Sequence, residues 1–168
     1  MDRFEFQRQC VSRTIGKVLN VGCKEDPAHL KSNFGDRVIN MDIRDFDHDV
    51  FYNTGEKVPI PVDIIYSALN FPYPFIDNEF GLIVLGDILE DLPDNECQLD
   101  VLNESYRIGQ KLCITTPEDT KERDWHHYTT ITEQRLKDWL TSSNWKIVEF
   151  NIVDYGFVPR GYLVFCEK

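Results

Sequence analysis

Lys17-Val18-Leu19-Asn20-Val21-Gly22-Cys23-Lys24-Glu25-Asp26-Pro27 is the stretch whose reading decides the fold. Its apolar run of strand type stops at Gly22, and the Asp26-Pro27 pair just beyond supplies a helix N-cap and a first helical residue. Strand, short loop and helix in that order form the turn that receives a mononucleotide in α/β proteins. A second residue supports the reading. Strand Arg37-Val38-Ile39-Asn40-Met41 ends at Asp42, about 20 residues past Gly22, where an acid in a βαβ unit accepts hydrogen bonds from two ribose hydroxyls. Each feature alone is common; together they point to a nucleoside-type site.

The chain's 168 residues predict one domain, 1–168, with one sizeable core. A formal net charge of −11 repels phosphate backbones and anionic lipid, so neither nucleic acid nor a membrane is an expected partner. Met1 to Arg13 alternates charges without an apolar segment, and no run of membrane-spanning length follows. The five cysteines, Cys10, Cys23, Cys97, Cys113 and Cys166, are widely spaced and contain no Cys-x-x-Cys, which suggests neither a disulfide framework nor zinc. A cytoplasmic, reducing setting is expected. His48 among Asp45, Asp47 and Asp49 reads as a solvated polar loop, and no metal is expected.

Residues 3–13 fit a short amphipathic helix packed beside the sheet. Strand 17–22, a helix from Pro27 to about Asn33 stopped by Gly35, and strand 37–42 follow. Between Asp45 and Pro61 no helical repeat of useful length appears, so the crossover helix is expected to be missing or reduced to a turn. Strands at 62–67 and 80–85 come next, the latter apolar almost throughout as a central parallel strand should be. Asp94 caps a helix of about 12 residues with Leu99, Leu102 and Tyr106 on one face. After strand 111–115, Thr130 with Glu133 satisfies the capping-box spacing, Thr132 being an alternative cap, and the helix buries Leu136, Trp139 and Leu140. Strands 146–153 and 161–166 pair as an antiparallel hairpin. The fold class is α/β: a doubly wound, mostly parallel sheet with a C-terminal antiparallel hairpin.

At this point the chain resembles the class I, Rossmann-like S-adenosylmethionine-dependent methyltransferases, especially the branch that modifies small molecules. Val18-Leu19-Asn20-Val21-Gly22-Cys23 is similar to the glycine-rich first motif, and Asn40-Met41-Asp42-Ile43 to the ribose-binding strand end. Asn70-Phe71-Pro72-Tyr73-Pro74, Leu85-Gly86-Asp87-Ile88-Leu89-Glu90, Leu112-Cys113-Ile114-Thr115-Thr116-Pro117 and His126-His127-Tyr128 resemble later segments, in the family's order. The resemblance implies a seven-stranded sheet and S-adenosylmethionine as cofactor, with Asn20, Gly22, Cys23 and Lys24 in the first loop, the first two of that loop's turn, Gly22 and Cys23, against its methionine half. It places Asp42 on the ribose, Ile43 against adenine, Ser67 and Ala68 flanking the adenine amino group, and Gly86 with Asp87 below the sulfonium, where a small-molecule acceptor enters. Members usually carry a second glycine where Lys24 stands, an acid at Asn20, an acid at Ser67 and, in many, histidine at Asp91. Lys24 and Glu25 either obstruct the carboxylate pocket or the Lys24 ammonium pairs with that carboxylate.

Methyl transfer from a sulfonium is an in-line displacement that depends on positioning and water exclusion and needs no fixed triad. Asp87, His126 and His127 are the candidate catalytic bases for an oxygen or nitrogen acceptor. Asp87 and Glu90 read equally as a solvated helix entrance, and the two histidines as a loop that docks the following helix. Phe71, Tyr73 and Phe75 are either a substrate wall or loop anchors. Three functional classes remain in this order: a methyltransferase, a degenerate binding or regulatory module that holds a protein partner, and a nicotinamide oxidoreductase, whose full three-glycine fingerprint is absent.

Overall fold

The computed structural model describes residues 1–24, 26–118, 128–156 and 158–168, and the backbone alone of His48 and Asp49. Helix α1 (Arg3–Ser12) starts where the Asp2 carboxylate accepts the Glu5 N–H at 2.8 Å, and its buried face is Phe6, Gln7, Cys10 and Val11. Then come β1 (Val18–Val21), α2 (Leu30–Phe34), β2 (Val38–Asp42), α3 (His48–Thr54), β3 (Ile64–Ile65) and β4 (Leu82–Gly86). The second half holds α4 (Asn95–Ile108), β5 (Lys111–Pro117), α5 (Glu133–Ser142), β6 (Lys146–Val153) and β7 (Gly161–Glu167).

These seven strands form one sheet in the order β3-β2-β1-β4-β5-β7-β6, parallel except for β7, which runs antiparallel to both neighbours. Strand periodicity sorts the core into two layers. Leu19, Val21, Ile83 and Leu85 point toward α4 and α5, where Leu102, Leu136 and Leu140 meet them. Val18, Leu82 and Val84 point the other way, onto Phe6, Cys10 and Leu30 of α1 and α2. Such two-sided burial explains why β1 and β4 read as unbroken apolar runs. The strand order reverses between β1 and β4, and at such a switch point the crevice beyond the carboxyl ends of the strands is the natural ligand site.

Several expectations need correction. Helix α2 begins at Leu30 rather than Pro27, although Asp26 still caps it, its two carboxylate oxygens accepting the Leu30 and Lys31 N–H groups at 2.9 and 2.8 Å. The crossover expected to be missing or reduced to a turn is a helix of seven residues, α3, capped by Asp47 accepting from Val50 N–H at 2.9 Å and closed by Gly55. Caps at both ends sustain a helix too short to show a periodic apolar face. Strand β3 keeps two of the six residues expected, and α5 is capped by Thr132 rather than Thr130.

Candidate functional site

The loop leaving β1 folds over the end of β2. Gly22 and Cys23 both donate their N–H groups to the Met41 carbonyl, at 2.9 and 3.3 Å, and the Lys24 N–H donates to Asp42 Oδ2 at 2.9 Å. Gly22 sits at φ 65°, a conformation that favours glycine, and a Cβ there would lie 2.6 Å from Ile88 Cδ1, so a side chain at this position would also have to displace that of Ile88. Asn20 is buried and donates to Asn40 Oδ1 at 3.0 Å, while Asn40 donates to the Pro61 carbonyl at 2.8 Å. This amide chain fixes the ends of β1 and β2 without a charge. Burial, with the Asp42 carboxylate nearby, pushes the Cys23 thiol far up, so it is a packing group and not a nucleophile.

On the other side of the switch point, Asp87 follows β4 in a left-handed conformation, φ 53°, uncommon for a residue with a side chain. Three elements converge on it. Arg3 Nε of α1 approaches Oδ2 at 3.0 Å, Thr115 of β5 donates its hydroxyl to Oδ1 at 3.2 Å, and the Tyr155 hydroxyl from the β6–β7 loop donates to Oδ1. Gln7 of α1 donates to Thr115 Oγ1 at 2.8 Å, and a Cβ on Gly86 would lie 2.5 Å from Gln7 Nε2, which explains glycine there. The Arg3 guanidinium also lies 4.8 Å from the centre of the Tyr155 ring. Burial raises the Asp87 pKa, opposed first by Arg3 and then by the Tyr155 and Thr115 hydrogen bonds. Glu90 is 1% exposed, accepts the Thr116 hydroxyl at 2.9 Å, and is pushed well up by burial and then by the Asp87 and Asp91 carboxylates. Neither acid is a solvated helix entrance.

Toward β3 the surface opens. Ile43 is 58% exposed, Ser67 and Ala68 are half-buried, and the Ser67 hydroxyl accepts the Leu69 N–H at 3.2 Å. Of the three aromatic residues, Tyr73 and Phe75 are loop anchors: the buried Tyr73 donates its hydroxyl to the Ala68 carbonyl at 2.8 Å, and Phe75 packs edge-on against Phe80. Arg107 donates to the carbonyls of both, at 3.2 and 2.9 Å. Phe71 stacks on Tyr73 with ring centres 5.5 Å apart and is partly exposed.

A cavity of about 160 Å³ joins the two sides of the switch point, walled by Asn20, Gly22, Cys23, Lys24, Asp26 and Pro27 from the first loop, Gly86 and Asp87 from β4, and Arg3, Phe4 and Gln7 from α1. The structure thus brings together six of the expected residues, with Asp42 tied to Lys24 at the margin and Ile43, Ser67 and Ala68 outside the cavity. His126 and His127 lie outside the described residues. Sequence reasoning missed Arg3, Phe4, Gln7, Thr115 and Tyr155. The first three carried a faint signal as one end of an amphipathic helix; Tyr155, in a loop of glycines and proline, carried none.

No protein-family model matches the sequence, and no curated protein matches it. Solved structures do match. A SAM-dependent methyltransferase from Archaeoglobus fulgidus superposes with a TM-score of 0.69 at 17% identity, covering 98% of this chain and 92% of its own. The 1,6-didemethyltoxoflavin-N1-methyltransferase of Burkholderia thailandensis, with bound 1,6-didemethyltoxoflavin and S-adenosylhomocysteine, gives 0.72 at 13% identity over 99% of this chain and 76% of that one. The small RNA methyltransferase HEN1 gives 0.70 at 14% identity over 99% of this chain and 25% of its own. The shared seven-stranded order, with its antiparallel β7, gives this chain the fold of the class I, Rossmann-like S-adenosylmethionine-dependent methyltransferases.

Proposed function

We propose that residues 1–168 act as one methyltransferase domain that binds S-adenosylmethionine across the β1–β4 switch point and transfers its methyl group to a small-molecule acceptor. The observation that carries this reading is the cavity uniting the Gly22–Lys24 loop with Gly86 and Asp87. The residues present fit the cofactor. Gly22, Cys23 and Gly86 leave room along one wall, and Asp42 has Oδ2 on the Lys24 N–H while Oδ1 carries no hydrogen bond among the described residues. Exposed Ile43 offers apolar surface to a purine. When bound, the cofactor supplies an electrophilic methyl on its sulfonium.

The chain's own part is positioning and proton transfer. Asp87, next to the cavity and with a raised pKa, is placed to take the proton of an oxygen or nitrogen acceptor. Tyr155 and Thr115 orient its Oδ1 and Arg3 its Oδ2. A net charge of −11 favours a small acceptor over a polyanion such as RNA. No helix among the described residues is long and apolar enough to cross a membrane, which agrees with an acceptor reached from water, and a cytoplasmic setting belongs to the same proposal.

A second reading is favoured by the β2 end of the cleft, where one Asp42 oxygen already accepts the Lys24 N–H and the Ser67 hydroxyl already accepts the Leu69 N–H, which leaves each group less to offer a nucleoside. A binding or regulatory module with a protein partner would tolerate both. Isothermal titration with S-adenosylmethionine and with NADH separates the readings. Saturable heat with the first ligand alone supports the methyltransferase; heat with NADH alone supports an oxidoreductase; silence with both leaves the binding module.

A further inference from the structure

Helix α1 and strand β5 meet along one face of each. Gln7 donates to Thr115 Oγ1 at 2.8 Å, and at the other end of the helix the Arg13 guanidinium lies 4.1 Å from the ring centre of Phe165 of β7, the residue paired with Cys113. Cys10 stands midway between Gln7 and Arg13, on the same helix face as Gln7, and Cys113 lies two residues before Thr115, on the same strand face. These two contacts bring the thiols together. Cys10 and Cys113 are both fully buried in the core layer under α1, and the Cys113 thiol donates to the Cys10 sulfur.

The pair is asymmetric. Arg13 Nη2 donates to Cys10 Sγ at 3.4 Å, and the Cys113 thiol first, then the Arg13 guanidinium, draw the Cys10 thiol below its ordinary range against the pull of burial. Burial pushes the Cys113 thiol well up, so it keeps its proton. One sulfur is prepared as a nucleophile, and the other is in contact with it. We infer that Cys10 and Cys113 are a redox-active thiol pair, a modification site at which a peroxide closes a disulfide between α1 and β5. The Cys10 thiolate attacks one peroxide oxygen, the O–O bond breaks, the departing hydroxide takes up the proton that Cys10 released, and Cys10 becomes a sulfenic acid. The Cys113 sulfur then attacks the Cys10 sulfur; the S–S bond forms, the S–O bond breaks, and the Cys113 proton leaves with the hydroxyl as water. Two thiols lose two electrons, and the peroxide is reduced to two waters. Both sulfurs are covered while α1 is docked, so the reaction requires the helix to lift, and the product locks in place the helix that contributes Arg3, Phe4 and Gln7 to the cavity wall. The thiols themselves lie outside that wall, so this chemistry is independent of what the cavity binds.

The test treats the full chain with hydrogen peroxide, blocks remaining thiols with iodoacetamide in urea, and maps the unreduced digest by mass spectrometry. A Cys10–Cys113 cross-link that dithiothreitol reverses is the expected product, while the half-buried Cys97 is recovered without a partner. Closing a loop between residues 103 apart restricts the unfolded chain, so the oxidised protein unfolds at a urea midpoint higher by about 1 M or more. Cys113→Ala, with its fold checked by circular dichroism, leaves a sulfenic acid on Cys10 that dimedone traps. Arg13→Gln slows the cross-link about fivefold and leaves the alkylation rate of Cys97 in the folded chain unchanged. Recovery of Cys10 and Cys113 as alkylated thiols from peroxide-treated wild type, cross-links among other cysteines in their place, or a cross-link that forms only after unfolding overturns the inference, and the wild-type map decides this even where a variant fails to fold.

Discussion

The two ends of the cleft are built on different principles. At the β1–β4 end the polar groups draw their partners from distant elements: Arg3, Thr115 and Tyr155 all converge on Asp87, and α1 covers the cavity with Phe4 and Gln7. At the β2–β3 end the sheet runs out. Strand β3 is two residues long, and Ile43, Ile65 and Leu69 are 58, 60 and 42% exposed. The first end is preorganised by charge and hydrogen bonds, and the second offers an open apolar surface that a flat ring would cover. Under the proposed function, orientation and proton chemistry fall to the closed end, and affinity by burial to the open one.

The closed end should break hardest. Asp87→Ala leaves the Arg3 guanidinium partly buried beside Tyr155 without its carboxylate, and costs about 2 kcal/mol of folding stability. Urea unfolding checks this, and a shift below a few tenths of a kcal/mol would show that the convergence on Asp87 is decorative. Asp42→Ala comes next. It removes the acceptor offered to the ribose and releases the Lys24 N–H, so S-adenosylmethionine binding weakens by about 1.5 kcal/mol in a variant that still folds. Unchanged affinity by titration would put the ribose elsewhere.

Glu90 tests the closed end by pH. Its folded pKa is raised, so its protonated form favours folding fully below the ordinary carboxylate range, and that contribution is lost as pH rises from there through the folded value. Glu90→Gln keeps an acceptor for the Thr116 hydroxyl and removes the ionisation. The variant should gain about 1 kcal/mol on wild type at pH 8 and nothing at pH 4, because a tenfold difference in proton affinity between the folded and unfolded chain is worth about 1.4 kcal/mol. Parallel stability curves from pH 4 to 8 would show that Glu90 ionises in the folded chain as it does in the unfolded one.

How much of this was legible follows the same division. Strands β1, β2 and β4 and the C-terminal hairpin were readable because burial writes apolar runs and alternation into the sequence, and Gly22 and Asp42 were readable because a turn and a strand end restrict residue type. Helix α3 was missed because its two caps, Asp47 and Gly55, carry it without a periodic face. Arg3 and Tyr155 were missed for a different reason: they meet Asp87 across 84 and 68 residues of chain, and no local rule of spacing reports such a meeting. Asp87 and Glu90 sit among acids that look solvated in sequence, and only packing shows that Glu90 is buried and Asp87 half-buried. The bond from the Lys24 N–H to Asp42 joins two strand ends 18 residues apart, and no local spacing rule reports it either.

The open end yields the smallest effect and the sharpest test of the contrast, because there a substitution should add function. Ser67 stands where the family resemblance implies a frequent acid, and its hydroxyl accepts the Leu69 N–H at 3.2 Å. An aspartate can hold the same turn with one carboxylate oxygen, as such side chains do two residues ahead of an N–H, and keep the second oxygen for the adenine amino group. Ser67→Asp should therefore tighten S-adenosylmethionine binding by about 0.5–1 kcal/mol, the discounted worth of a charged hydrogen bond on a half-exposed surface. Inosine in place of adenosine removes the amino group and should abolish the gain. A gain that survives that replacement would come from the turn alone, and the open end would then be holding the ring by its faces and not by its edge.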